Sequence, residues 1–420
     1  MGKAFYIDSL YQIKNSWKLI FHGIDISRVM ATYEIKFIVL GEKIGKKRNF
    51  IEQSFYTYDL SKLNFTSPNY ILSTFGQQNR KDHKEVYDFV TSRLGEACAY
   101  NDLNQLKLTR KIRPLLIISV LLRSMWGLRN CAVLNFEQKL RLSCKACVYC
   151  NSIVDLERFP LRGVKKYLSM YHVSQLENLI TQYMKLQGIP TYSLCEGMYV
   201  VDKENLTLDS MQYANFETEH LLVWGQFVID SFIKEGISKD KMEVGGYPHE
   251  VKLKEIQRSN KLKKCLVMLA RRDFMEADMH LLNLLSQYTE EYDFYLKAHP
   301  NSDYDVLENF ANIHNMKMVS KDVTINDCML EYDFDWTIAV NTTAYYESLM
   351  RGIPSLRYDD GCYVLMPGGH DSFKDASQLE KCLEHIRKNL ANGDYQKEVN
   401  NLLLYTVGVG IDNYKKILLV

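Results

Sequence analysis

Two neighbouring stretches decide the fold. The first is Tyr292-Asp-Phe-Tyr-Leu-Lys-Ala-His-Pro300, an apolar alternating run ending on Lys297, His299 and Pro300. The second is Phe334-Asp-Trp-Thr-Ile-Ala-Val-Asn-Thr-Thr-Ala-Tyr-Tyr-Glu-Ser-Leu-Met-Arg-Gly-Ile-Pro-Ser-Leu356. It reads as strand, polar turn, short helix, Gly-x-Pro and strand. Each stretch places polar groups at the carboxyl end of a strand, the edge of an open α/β sheet where ligands bind.

Working outward, the same period recurs. Cys265 to Ala270 reads as a buried strand, followed by Arg271, Arg272 and a helix over Ala277 to Tyr288. After Tyr292–Ala298 come a helix (Val306 to His314), a strand (Met316 to Val319) and a helix (Ile325 to Tyr332). Then follow Thr337–Val340, a helix over Ala344–Arg351, the strand Ser355–Tyr358 and a helix over 376–391. Regular β/α alternation predicts a doubly wound parallel sheet.

The first half is less regular. A helix around Ser9 to Leu19, a strand over Glu34 to Leu40 and a helix from about Arg80 to Leu94 are expected; the order of elements between residues 50 and 105 is not assigned. Residues 105–128 are apolar almost all round, edged by Arg110, Lys111, Arg113 and Arg123. They read as a buried helix, or as a basic, apolar helix for a membrane surface or an acceptor groove. Cys144, Cys147 and Cys150 have metal-like spacing, but no fourth ligand is apparent and the run is β-favouring, so buried strand cysteines are expected. A helix over Val173 to Leu186 leads to the strand Thr191–Leu194, with Glu196 at its carboxyl end beside Gly197. The strand Lys241–Val244 meets Gly245 and Gly246, and a charged stretch over 250–264 marks a boundary.

Length and composition agree with this organisation. A chain of 420 residues exceeds one ordinary core, so two domains are expected. With 46% hydrophobic and 25% charged residues it is of globular composition, and a total net charge of +1 implies no strong pull to nucleic acid or membrane. Ten scattered cysteines are no disulfide framework in so long a chain. No leader or membrane span is expected; Pro114–Leu122 is too short. A cytoplasmic location is the expectation, with the inner membrane face as the alternative.

The strand ends suggest chemistry. His299 can donate to a phosphate oxygen, and Lys297 lies on the same strand face. Asn341, Thr342 and Thr343 open a helix, where amides, hydroxyls and the dipole suit a diphosphate, although ordinary helix capping explains them equally. Glu347, one turn further on, suits a ribose diol. Arg271 and Arg272 could fork onto the same phosphates, and Gly246 could admit a close ligand. Asp333-Phe-Asp335 fits a helix-to-strand turn better than a metal-bound diphosphate.

In this order, residues 190–370 resemble the GT-B glycosyltransferases that build bacterial capsules and related surface polymers. They are similar in layout to polysialyltransferases, capsule and teichoic-acid polymerases and the non-hydrolysing UDP-GlcNAc 2-epimerases. The resemblance rests on His299-Pro300-Asn301, Asn341-Thr342-Thr343, Glu347, Gly352-Ile-Pro354 and the run from Leu222 to Pro248. It covers less than half the chain. It departs at Cys195-Glu196-Gly197, where many of those enzymes have Gln-His-Gly, and at Asn-Thr-Thr, where Ser-Ser is commoner.

The resemblance implies an α/β, GT-B fold of two Rossmann-like domains facing a cleft: an acceptor domain over 1–245, a nucleotide-sugar domain over 246–395, and a helical tail over 396–420 packing back on the first. It implies glycosyl transfer, with inversion as the expected outcome, from a nucleotide sugar (a UDP-sugar first, a CMP- or CDP-linked donor second) to an oligosaccharide or lipid-linked glycan. No metal or other cofactor is expected. The alternatives are a sugar-nucleotide 2-epimerase and a non-catalytic GT-B-like partner in a polysaccharide assembly complex. Glu196 is the expected general base, with Glu217 and Glu219 as weaker candidates.

Overall fold

The structure is a computed structural model; it describes residues 11–31, 50–63, 70–76, 81–159, 161–173, 175–198, 215–256, 262–270, 272–340, 342–359, 361 and 365–420. The expected strand over Glu34 to Leu40, and the site candidates Arg271 and Asn341, lie outside the described residues. The chain divides into two compact units, one of Met1–Trp224, Val228–His249 and Ile411–Val420, the other of Gly225–Phe227 and Glu250–Gly410.

Each unit carries a six-stranded, all-parallel sheet, so the fold is α/β with two doubly wound units. In the first, the strands are β1 (Ile71–Phe75), β2 (Cys98–Asp102), β3 (Lys166–Ser169), β4 (Thr191–Leu194), β5 (His220–Val223) and β6 (Met242–Val244). Their spatial order is β6-β5-β4-β3-β1-β2. In the second they are β7 (Lys264–Met268), β8 (Asp293–Lys297), β9 (Lys317–Met318), β10 (Trp336–Ala339), β11 (Ser355–Tyr358) and β12 (Ser372–Phe373), in the order β9-β8-β7-β10-β11-β12. Order reverses between β1 and β3 in one sheet and between β7 and β10 in the other. Such a reversal opens a crevice at the carboxyl edge, because flanking loops leave to opposite faces.

Helices α1 (Lys81–Leu94), α2 (Pro114–Leu128), α3 (Phe136–Leu156) and α4 (Gln175–Leu186) belong to the first unit, and α5 spans Gln226–Lys234. The second unit contributes α6 (Met275–Leu285), α7 (Tyr304–Ile313), α8 (Ile325–Glu331), α9 (Ala344–Met350), α10 (Ala376–Asn392) and α11 (Asp394–Thr406); α12 (Tyr414–Leu419) returns to the first.

The cysteine run corrects an expectation. Cys144, Cys147 and Cys150 lie on α3, not on a strand. Asn135 opens this helix through a capping box with Gln138, and almost every residue from Leu142 to Ile153 is buried. A helix buried all round has no polar face, so its period vanishes from the sequence and the β-favouring residues mislead. The thiols stay protonated: burial pushes Cys147 up to about 12 and raises Cys150 well above the ordinary thiol value. The strand that feeds α4 is therefore β3, about twenty residues after the cysteines.

In the second unit, Trp336 and Phe294 are fully buried beneath the sheet, and Leu266, Leu296, Ile338 and Leu356 form its centre. Burial of this kind stabilises by roughly 1.5–3 kcal/mol per large apolar side chain.

Candidate functional site

The carboxyl edge of the second sheet carries several of the expected residues. His299 lies two residues beyond β8, and its Nδ1 accepts from the Asn301 amide at 3.1 Å. An accepting Nδ1 is unprotonated, so in the neutral ring the hydrogen sits on Nε2. The imidazole is thereby set as a donor. Ser302 ties this turn to the neighbouring strand: its Oγ donates to the Ala270 carbonyl at 2.8 Å, just beyond β7. Thr342 and Thr343 lie between β10 and α9. The Ala344 amide donates to Thr342 Oγ1 at 3.4 Å, and Thr343 makes no side-chain cap. Glu347 is partly buried on the first turn of α9.

Helix α9 is held rigidly. Arg357 on β11 donates from Nε and Nη2 to Asp371 Oδ1 at 2.9 and 2.6 Å, and from Nη1 to the Met366 carbonyl. Tyr345 donates to the other Asp371 oxygen, and Tyr346 to the Pro367 carbonyl at 2.5 Å. The loop over 366–371 wraps the guanidinium so closely that a Cβ on Gly368 would lie 2.1 Å from Arg357 Cζ. The start of α9 is thus fixed from its own Tyr345 and Tyr346.

Beneath the β7 turn, Asp278 on α6 is fully buried. Its Oδ1 accepts from the Ala270 amide at 3.0 Å, while Oδ2 has no hydrogen-bond partner among the described residues. Burial pushes its carboxyl up to about 7 against the opposing effect of that one hydrogen bond.

Other expected residues are placed elsewhere. Lys297 is buried, and its Nζ donates to the carbonyls of Ser320 and Lys321 at 2.9 and 3.5 Å, which ties β8 to the loop after β9. Arg272 is exposed at the start of a short 3-10 turn. Gly246 has a packing reason instead of a ligand: at φ +106°, a Cβ would lie 1.8 Å from the Ile411 carbonyl oxygen. Asp335 accepts from the Lys263 and Lys264 amides, both at 2.8 Å, at the amino edge of the sheet, far from diphosphate chemistry.

In the first unit, Glu196 lies two residues beyond β4. The Trp224 indole donates to the Cys195 carbonyl at 2.9 Å and the Cys195 amide donates to Leu222, so the turn is anchored. Glu196 Oε2 lies 3.0 Å from Nδ1 of His83 on α1, and the two side chains are 10% and 4% exposed. His83 is a residue that pattern reading missed: a lone histidine on an amphipathic helix carries no local signal, and 113 positions separate the partners by simple subtraction of their numbers. The two weaker candidates are occupied structurally. Glu217 pairs with Arg28 at 2.9 Å and Lys185 at 2.8 Å. Glu219 accepts from the Thr191 amide and hydroxyl at the amino end of β4.

A buried carboxyl group also lies by the β1/β3 switch point. Glu177 on α4 accepts from the Met170 amide at 2.9 Å, and burial raises it to about 7. His172, fully buried and held near 3 by desolvation first and by Arg28 second, borders a small cavity with Ser193, Cys195, Phe216 and Phe232.

Comparison with known proteins finds no matching family model and no matching curated protein. Solved structures do align. The UDP-GlcNAc 2-epimerase of Neisseria meningitidis bound to UDP-GlcNAc is 13% identical, covering 83% of this chain and 98% of its own, with a TM-score of 0.45. Anabaena HepE in complex with UDP is 10% identical, covering 83% and 99%, with a TM-score of 0.48. A glycosyltransferase from Rickettsia africae is 9% identical, covering 83% and 99%, with a TM-score of 0.46.

Proposed function

We propose that this chain transfers a glycosyl group from a nucleotide-activated donor to a glycan acceptor. The observation that carries the reading is the second crevice. His299, Thr342 and Thr343 leave the carboxyl ends of β8 and β10, on either side of β7, at the point where strand order reverses. Two hydroxyls and an imidazole with its hydrogen on Nε2 suit the oxygens of a diphosphate, and Glu347 suits a ribose diol.

In the proposed reaction, Glu196 removes the proton of the acceptor hydroxyl. That oxygen bonds to the anomeric carbon as the bond from that carbon to the diphosphate oxygen breaks, inverting the centre. The leaving nucleotide takes the electron pair, and His299 and the threonine hydroxyls stabilise the charge electrostatically, without a metal. His83 orients the Glu196 carboxylate. A bacterial surface or capsular glycan as acceptor rests on the sequence resemblance.

Calorimetric titration with UDP, CMP and CDP tests the donor half. One nucleotide is expected to bind, and His299→Ala is expected to weaken it by about tenfold or more, the worth of one hydrogen bond to a charged group. Absence of binding by all three overturns the reading. Conversion of a UDP-sugar at C2 without any acceptor would replace transfer by epimerisation.

A further inference from the structure

Helix α2 has two apolar faces. Ile117, Val120, Ser124 and Leu128 are buried, with Ser143 of α3 donating to Ser124 at 2.8 Å. The opposite face is bare: Leu115, Ile118, Leu122 and Trp126 are 85, 55, 67 and 68% exposed. Their spacing of three, four and four residues makes one continuous stripe. Ile112 before the helix and Phe136 after it are exposed as well, as is Ile20, whose carbonyl accepts from Arg123 at 2.7 Å. So large an apolar strip on a surface marks a contact site.

The charges around it select the partner. No Asp or Glu occurs between Asp102 and Glu137, whereas Lys107, Arg110, Lys111, Arg113, Arg123 and Arg129 fall there. Asp155 on α3 engages Lys111 and Arg113 at the helix start. Exposed Lys107 and Arg110 lead into the helix, Arg123 lies along it, and Arg129 stacks on Trp126 at 4.0 Å. A second copy docking by twofold symmetry would set these cations against themselves. An anionic surface would neutralise them while the stripe enters its apolar layer. With 15 residues the helix is too short to span a bilayer, so it would lie in the interface plane.

We propose that the exposed face of α2 docks this protein on an anionic lipid bilayer. Trp126 reports the event, since Trp17, Trp224 and Trp336 are 0, 6 and 0% exposed. The full chain is mixed with vesicles of phosphatidylglycerol and phosphatidylcholine, or of phosphatidylcholine alone, and followed by sedimentation and tryptophan emission. Binding and a blue shift are expected with the anionic vesicles only, weakening towards about 0.5 M salt as screening requires. Leu122→Asp with Trp126→Ala, both at exposed positions and expected to melt like the parent, is expected to lower partitioning by about tenfold or more. Trp126→Phe is expected to abolish the blue shift but retain sedimentation. The proposal is overturned by no sedimentation with anionic vesicles, by equal sedimentation of the double variant, or by a protein dimer that the same double substitution dissolves.

Discussion

His83 and Glu196 set the most local test of the account. In the proposed reaction the Glu196 carboxylate, 3.0 Å from the His83 imidazole, is a base whose orientation depends on its neighbour. Glu196→Gln keeps the shape and removes the basicity, so turnover is expected to fall by at least about a hundredfold with nucleotide affinity unchanged. His83→Asn is expected to lower kcat less and to displace the pH–rate profile, which a purely structural role would leave in place. Steady-state kinetics with titration of the same variants checks both. At this scale the chain was only half legible. Glu196 and His299 announce themselves by standing after apolar strands beside glycine or proline. His83 does not, because what qualifies it is a contact made by the fold. Lys297 reads well and turns out to serve the Ser320 and Lys321 carbonyls, since strand alternation says which face a side chain leaves from but not which loop meets it.

Among the elements, the turn after β7 and helix α6 carry a pH dependence. Asp278 titrates near 7 in the folded chain, against an ordinary value near 3.8. A raised carboxyl favours the folded state while protonated. Its contribution is complete below about pH 4 and is lost as pH rises through about 7, to the extent of roughly 4 kcal/mol. Asp278→Asn keeps an oxygen for the Ala270 amide and carries no charge, so it is expected to melt higher than the parent at pH 8 and nearly alike at pH 4. Thermal melts across that range check it; a parallel pair of curves would show that Asp278 does not titrate there. The elements of the second unit from β7 to β11 were readable to within three residues because they alternate with helices that keep a polar face, whereas the two-residue β12 went unread. In the first unit, β1, β2 and β3 went unread. Ile71–Phe75 is buried on both faces, so it lacks alternation, and α3 hides its helical period under full burial.

For the molecule as a whole, the chain's last ten residues matter beyond their number. Ile411–Val420 belong to the first unit, although the residues before them belong to the second. Tyr414 is fully buried and donates to the Gly246 carbonyl at 2.8 Å, Asn413 bonds the Gly245 and Val244 carbonyls, and Lys166 reaches the Ile417 carbonyl. Tyr414→Ala is expected to destabilise the first unit by roughly 3–5 kcal/mol, the range for truncating a buried aromatic, while nucleotide affinity stays unchanged. Denaturant unfolding monitored with titration checks this. The glycine pair at 245 and 246 was visible in the sequence, but its use by a segment 165 positions later, counted from Gly246 to Ile411, was not.

The central claim is that the carboxyl edge of the second sheet holds the nucleotide. Hydrogen exchange of the backbone amides with and without UDP, or whichever of CMP and CDP binds more tightly, addresses it directly. The account predicts slowed exchange confined to the turns after β7, β8 and β10, including Asn301, Ser302 and Ala344, and loss of that protection in His299→Ala. Protection at the amino edge around Lys264 and Asp335, or in the first unit alone, would contradict it.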